Sequence, residues 1–238
     1  MGEDTISKGG SRILRHRARG SDFAVAGGDE DAIAAITAHI ETHLGPVDWV
    51  FHELVSDLVH IDIHLVRPTP ERPHWTLVTS GMSDRPMNAP DADDRYAELF
   101  LSLPDDWPLR QEDFEDEVNY WPVRWLKALA RLPHEYDTWL GWGHTIPNGD
   151  PVEPFAPSTS FCCWLVLPPL LAPEEFGELE VSSDKRVRFL ALVPLYEDEM
   201  NYKLEEGAQE LVQRFEARGV TELVEPGRPS VCRPAAQG

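Results

Sequence analysis

The chain has 238 residues, and its 42% hydrophobic content with eight tryptophans is enough to build the core of one large domain or two small ones. Its 42 acidic and 21 basic residues give a formal net charge of −21, which disfavours binding to nucleic acid phosphates and anionic membranes and favours a basic protein partner. No apolar run approaches the roughly 20 residues that cross a bilayer, and the N-terminus lacks the apolar core of a secretory signal, so we expect a cytoplasmic protein.

The two ends of the chain differ in composition from the rest. Residues 1–28 are polar, glycine-rich and without periodicity, and they include arginines at positions 12, 15, 17 and 19, so we predict a disordered basic tail. A single folded domain is predicted over residues 29–224. The proline-containing residues 225–238 are predicted to form a flexible C-terminal tail.

The first half of the domain predicts one helix followed by strands. Apolar residues at helical spacing from Ile33 to Leu44 predict an amphipathic helix that begins near Asp29 and stops at Gly45. Four strands are then predicted, at Trp49–Val55, Leu58–Val66, Trp75–Thr79 and Ala97–Leu103. Strands that follow one another along the chain favour antiparallel pairing.

The second half alternates helical and strand patterns. A helix is predicted to begin at Pro122 and end at Pro133. The nearly continuous apolar runs Phe161–Leu167 and Arg186–Leu195 predict central strands that are covered on both faces. Two further helical stripes follow, separated by Gly207 and closed by Gly219.

One strand carries residues with metal-binding chemistry. In Leu58–Val66 the polar residues His60, Asp62 and His64 alternate with apolar ones, so they would share one face, where two imidazoles and a carboxylate suit zinc or iron(II). The simpler interpretation is the polar face of a half-buried strand, and we predict no metal site. The three cysteines are predicted to be reduced thiols, and no catalytic residue or cofactor signature is identified.

Two segments are candidates for partner binding. The stretch from Gly81 to Pro90 contains a glycine suited to positive φ, polar turn residues and two prolines, which predicts an ordered surface loop. Its methionines either form an adaptable recognition surface or fill the core. The acidic cluster at residues 197–199 either binds a partner or only caps a helix. The candidate partner-binding residues are Met82, Asp84, Met87, Asn88, Glu197, Asp198 and Glu199.

Three segments together resemble a known family. They are HIDIHLVRPTPERPHWTLVTSGMSDRPMNAP at residues 60–90, WPVRWLKALARLPHEYDTWLGWGHTIPN at 121–148 and FLALVPLYEDEM at 189–200. The chain resembles the suppressor of fused domain, in the short single-domain form found in bacteria. The resemblance implies an α+β fold with a mixed, mainly antiparallel central sheet flanked by helices, which the patterns allow. The family usually has an aromatic residue at the position of His64, so no complete metal triad is carried over.

The resemblance also implies a class of function. Family members are not known as enzymes, and short bacterial relatives are thought to act as immunity proteins against polymorphic toxins. Many such toxins are basic, so an acidic inhibitor would associate with them quickly, although acidity also serves solubility alone. We expect a protein-binding module, an immunity protein whose partner is a basic toxin domain. The alternatives are a regulatory or scaffold protein with another partner, and a metal-dependent enzyme using His60, Asp62 and His64.

Overall fold

The computed structural model describes residues 5–16, 27–53 and 58–233. Their helices are α1 (Glu30–His43), α2 (Glu117–Tyr136), α3 (Glu197–Glu206) and α4 (Ala208–Arg218). Their strands are β1 (Thr5–Ile6), β2 (Arg12–Ile13), β3 (Val47–Phe51), β4 (Asp62–Val66), β5 (His74–Ser80), β6 (Ala97–Pro104), β7 (Thr145–Pro147), β8 (Cys163–Leu167), β9 (Glu178–Ser182) and β10 (Lys185–Leu195). No helix in these ranges is long and apolar enough to cross a membrane.

Strands β3 to β10 form one mixed sheet. Its order is β3-β4-β5-β6-β10-β8-β7, and β9 pairs with the beginning of β10. The pair β6–β10 is parallel, with Ala97 opposite Arg188, whereas the other pairs are antiparallel. The structure therefore confirms the predicted α+β fold with a mixed, mainly antiparallel sheet, and it places β8 and β10 inside the sheet as their apolar sequences predict.

Helices cover both faces of the sheet. Along β10, Leu190 and Leu192 belong to the apolar cluster of α2, whereas Ala191 belongs to that of α1 and Val193 to that of α4. Alternate residues of a strand point to opposite faces, so α2 covers one face and α1 and α4 cover the other. The sheet is thus a central layer buried on both sides.

Strand β4 is more buried than its sequence predicts. All five of its residues are buried, including Asp62 and His64, where a half-buried strand with a polar outer face was expected. Ile63 and Leu65 pack in the α2 cluster, whereas Val66 packs in the α1 cluster. The alternation therefore separates two buried faces, and hydrogen bonds to His52 and Ser80 replace part of the water around Asp62 and His64.

Helix α2 contains Pro122 and Pro133, which were predicted to mark its two ends. It begins after Asp116, whose side chain accepts from Val118 N, and it continues through Pro133 to Tyr136. Pro122 has no N–H to donate to the carbonyl of Val118. The hydroxyl of Ser158 lies 3.5 Å from that carbonyl and replaces the missing donor, so the helix tolerates the proline.

Both predicted tails contain ordered structure. Residues 5–13, within the segment expected to be disordered, form the β1–β2 hairpin, which Gly9 joins to α3 by donating its N–H to the carbonyl of Leu204 at 2.9 Å. Residues 225–233, expected to be flexible, pack on α3 through Arg228. The described residues do not include 1–4, 17–26 and 234–238 of the predicted tails, or 54–57 around the predicted end of the first strand.

Candidate functional site

The Gly81–Pro90 loop is fixed to the sheet by a buried glutamate. Glu98 on β6 is fully buried, and its carboxylate accepts from the hydroxyls of Thr79 and Ser83 at 2.6 Å each. The backbone N–H groups of Gly81 and Ser83 add bonds at 3.0 and 2.9 Å. Burial raises the pKa of Glu98, and the hydrogen bonds from Ser83 and Thr79 oppose that rise. Four neutral donors therefore hold one carboxylate in the core.

Gly81 is required where the loop leaves β5. Its φ is 100°, which favours glycine, and a Cβ atom there would lie 1.8 Å from the carbonyl oxygen of His60. At the other side of the loop, Nε2 of His134 on α2 lies 2.9 Å from the carbonyl of Met82. The loop is thus clamped between the sheet and α2.

This clamp corrects the prediction of a methionine-based recognition surface. Met82 is 0% exposed and Met87 is 4% exposed, and both pack in the α2 cluster. Both methionines therefore fill the core, which was the alternative interpretation. Asp84 is half-buried and accepts from Asp29 N, next to α1, while Asn88 is exposed and binds the carbonyl of Asp137.

The acidic residues at the start of α3 also make contacts within the protein. Glu199 is fully buried, and its two carboxylate oxygens each lie 2.7 Å from the guanidinium of Arg228. Glu199 further accepts from the backbone of Val231 and Tyr196. Asp198 binds the hydroxyl of Ser230 at 3.0 Å. Among the three predicted residues, only Glu197 is exposed, so the cluster anchors the C-terminal segment instead of presenting a surface.

The structure does not assemble His60, Asp62 and His64 as a set of metal ligands. Asp62 lies 2.9 Å from Nδ1 of His52 and 3.1 Å from Nε2 of His60. His64 instead places Nε2 2.9 Å from the Ser80 hydroxyl, and burial lowers its pKa to about 4. Across residues 5–16, 27–53 and 58–233 no group of three or more His, Cys, Asp or Glu is arranged to hold a metal ion.

Cys162, Cys163 and Cys232 are free cysteines, and the first two are buried. Burial raises the pKa of Cys162 to about 11, and it raises that of Cys163 further. A thiolate nucleophile requires the opposite shift. The reduced state of the three thiols stays a prediction.

A surface that the sequence analysis did not identify lies at the β3 edge of the sheet. Four half-buried aromatic side chains form a continuous row here, with ring centroids 4.9–6.1 Å apart: Trp49, Phe51, Phe114 and Tyr120. In the described part of the chain, β3 pairs with β4 alone, so its outer edge carries no strand. The row therefore combines apolar area with open backbone groups.

Carboxylates flank Phe114 of this aromatic row along the chain. The segment from Asp105 to Glu117 contains seven acids and one arginine, and Phe114 lies within it. The exposed acids are Asp105, Asp106, Glu112, Glu115 and Asp116. We call these acids and the four aromatic residues the acidic-aromatic surface. The row depends on contacts between elements that are distant in the chain, so only the fold reveals it.

The comparisons with known proteins agree on one family. The model of the suppressor of fused protein family matches residues 57–229. A suppressor of fused homologue from Neisseria gonorrhoeae FA 1090 superimposes with a TM-score of 0.65 at 19% identity, covering 87% of this chain and all of that one. No curated protein matches the sequence significantly.

Two further solved structures share the fold. The chain in a Sufu–Fu complex gives a TM-score of 0.59 at 14% identity, with 84% of this chain and 92% of that chain covered. Drosophila Suppressor of Fused gives 0.56 at 14% identity, and the match covers 84% of this chain but 51% of the fly protein. Since the family model spans most of the chain and the structures share its fold, the chain belongs to the suppressor of fused family.

Proposed function

We propose that this protein is a non-enzymatic protein-binding module, an immunity protein that neutralises a basic toxin domain in the cytoplasm of a bacterial cell. The observation that carries the proposal is the acidic-aromatic surface, a row of half-buried aromatic rings in which exposed carboxylates flank Phe114 along the chain. Aromatic side chains are the residues that most often dominate binding energy at protein interfaces. The surface is therefore the part of the molecule best suited to a protein partner.

The charges define the kind of partner. Exposed carboxylates around an apolar centre attract a basic surface over long range and accelerate association, an effect that salt screens. The net charge of −21 adds to this attraction. A basic enzyme domain whose active site binds a polyanion would meet the surface with complementary charge, and binding would block that active site.

The family assignment supports protein binding in a coarser sense. The suppressor of fused domain is a protein-interaction module in eukaryotes, and one of the similar structures is a complex of Sufu with Fu. The toxin partner is a step beyond this and rests on the acidic surface together with the resemblance to short bacterial relatives.

Affinity capture from the native cells tests the proposal. The bait is the full chain, and the test variant carries Asp105→Asn, Asp106→Asn, Glu112→Gln and Glu115→Gln, side chains outside the cap of α2. The matched control neutralises four exposed acids outside the acidic-aromatic surface, at and just before β9: Glu174, Glu175, Glu178 and Glu180. We expect one basic protein to be retained by the wild type and the control at low salt, and lost from the test variant or at high salt.

Co-expression then separates immunity from a regulatory or scaffold role. The captured protein is expressed alone and with the wild type or either variant in a sensitive host. If the protein is an immunity protein, the wild type and the control restore growth of cells that express the captured protein, whereas the test variant does not. Capture of a partner that is harmless alone would contradict immunity and support the regulatory alternative, whereas equal capture by both variants would refute the assigned surface.

A further inference from the structure

A second concave site lies far along the sheet from the acidic-aromatic surface, at the β7 edge. A cavity of about 720 Å³ is enclosed by the β1–β2 hairpin, residues 138–147 and the junction of α3 with α4. Volumes of this size are typical of small-molecule sites. The site shares no residue with the acidic-aromatic surface, and the sheet order places β3 and β7 at opposite ends.

The hairpin forms one wall of the cavity and is closely fitted to its neighbour. A Cβ atom on Gly9 would lie 2.3 Å from the backbone nitrogen of Gly207, at the α3–α4 junction. Gly9 also donates to the carbonyl of Leu204. Ile13 and Leu14, at and after the second strand of the hairpin, line the cavity on this side. Only a glycine allows this approach, so the wall has a defined position.

Lys203 supplies a buried basic group to the lining of the cavity, and burial lowers its pKa. The residue is 3% exposed, and its ammonium has one hydrogen-bond partner in the described part of the chain, Thr145 Oγ1 at 3.3 Å. No carboxylate pairs with it there, although the chain has twice as many acids as bases. Buried lysines are rare unless they are paired, because removing an ammonium from water is costly. Lys203 therefore retains donors that a ligand in the cavity can use.

Aromatic rings line the outer part. Trp139 and His144 are in edge-to-face contact with ring centroids 4.4 Å apart, and Trp142 is 52% exposed. Burial, followed by the charge of Lys203, lowers the pKa of His144, which leaves its ring neutral near pH 7. One buried cation and several apolar or aromatic groups thus converge, while the exposed rim carries Arg12 together with Glu206 and Glu210.

We propose that this cavity binds a small monocarboxylate with an aromatic body, whose carboxylate pairs with Lys203 and the Thr145 hydroxyl while the ring packs against Trp139 and Trp142. A single carboxylate matches the single buried ammonium, whereas a polyanion would also meet Glu206 and Glu210 at the rim. This site is independent of the proposed immunity function, because it uses other residues at the other end of the sheet.

Calorimetric titration of the full-length protein at pH 7 tests the site. The probes are 1-naphthylacetate and its neutral counterpart 1-naphthylacetamide. The variant Lys203→Met removes the ammonium and keeps the apolar stem, and Lys127→Met, at a half-buried lysine of α2 outside the cavity, is the matched control. We expect Lys203→Met to weaken naphthylacetate binding at least ten-fold, with naphthylacetamide little changed and the control equal to the wild type.

A second variant tests the cavity wall. Gly9→Ala displaces the hairpin from Gly207 and should weaken both probes by a similar factor, since it removes apolar contacts and leaves Lys203 in place. Failure of naphthylacetate to bind the wild type saturably would overturn the proposal. Equal naphthylacetate affinity of Lys203→Met and the wild type would overturn it as well.

Discussion

The Gly81–Pro90 loop and the C-terminal segment 225–233 are both held by fully buried carboxylates, but the groups around the two carboxylates differ. Glu98 accepts from two hydroxyls and two backbone N–H groups, all neutral. Glu199 faces the guanidinium of Arg228, which is itself 6% exposed. The same buried group is thus stabilised by neutral dipoles in one region and by an opposite charge in the other. The two regions should therefore respond differently when the negative charge is removed.

Removing the charge of Glu199, which holds the C-terminal segment, should have the largest effect on the free energy of unfolding. Glu199→Gln leaves the buried Arg228 without a counter-charge, and breaking a buried pair from one side costs about 3–5 kcal/mol. Urea denaturation followed by tryptophan fluorescence measures the free energy of unfolding. The double variant Glu199→Gln with Arg228→Met should recover much of the loss, and a double variant as unstable as the single one would contradict the assigned cause.

The Gly81–Pro90 loop depends on the conformation and small size of Gly81 as well as on the charge of Glu98. Gly81→Ala combines a left-handed backbone with a Cβ contact to the His60 carbonyl, so we expect a loss of about 3 kcal/mol in the same measurement. Gly219→Ala is the control, because its φ is 66° and no atom lies within 4 Å of the added Cβ. It should cost about 1–2 kcal/mol from backbone strain alone. Equal losses at both glycines would show that the contact with His60 relaxes freely.

Removing the charge from the loop anchor should have a smaller effect. In Glu98→Gln, the amide oxygen can replace Oε1, which accepts from Gly81 and Ser83, and the amide N–H₂ can donate to the Thr79 hydroxyl. We expect a loss of about 1 kcal/mol at pH 7. If this variant is as unstable as Glu199→Gln, the distinction between neutral and charged anchoring is wrong.

The difference in stability between the wild type and Glu98→Gln should change with pH in one direction. Because burial raises the pKa of Glu98, the folded state binds the proton at a higher pH than the unfolded state does. The wild type should therefore gain stability relative to Glu98→Gln as pH falls from the raised pKa towards the ordinary value of 4.5. Unfolding free energies measured for both proteins from pH 8 to 4 check this, and a difference that shrinks on acidification would contradict it.

Carboxylates that stay in water should have the smallest effect on stability. The variant with neutral residues at positions 105, 106, 112 and 115 removes exposed charges, and each such substitution changes stability by about 0.5 kcal/mol or less. Thermal denaturation should give a melting temperature at or slightly above that of the wild type, because repulsion among the acids decreases. A large loss would mean that these acids support the fold and would weaken their assignment to partner binding.

Sequence patterns gave the secondary structure because they reflect local periodicity. The alternation in Trp75–Thr79 and the helical stripes around Gly207 appear in the structure as β5, α3 and α4. Boundaries were wrong where a distant group compensates a local signal, as Ser158 does for Pro122.

The candidate site was less predictable because its charges act between distant segments. Acids at positions 98 and 199 resemble solvated residues in sequence, and their partners Ser83 and Arg228 belong to other elements. Nothing local distinguishes Glu199 from its exposed neighbour Glu197. The aromatic row has the same origin, since it joins residues of β3, α2 and the turn before α2.

The parallel pairing of β6 with β10 has a consequence for synthesis of the chain. Strands β3 to β6 are neighbours in both sequence and space, so they can pair as soon as residues 47–104 are available. The remaining edge of β6 stays open until β10 has been made, because no earlier strand within the described ranges pairs there. An open edge rich in leucine and phenylalanine invites pairing with another chain. Translation beyond residue 195 therefore begins to close this edge, and the closure at Ser102 requires residues 222–224.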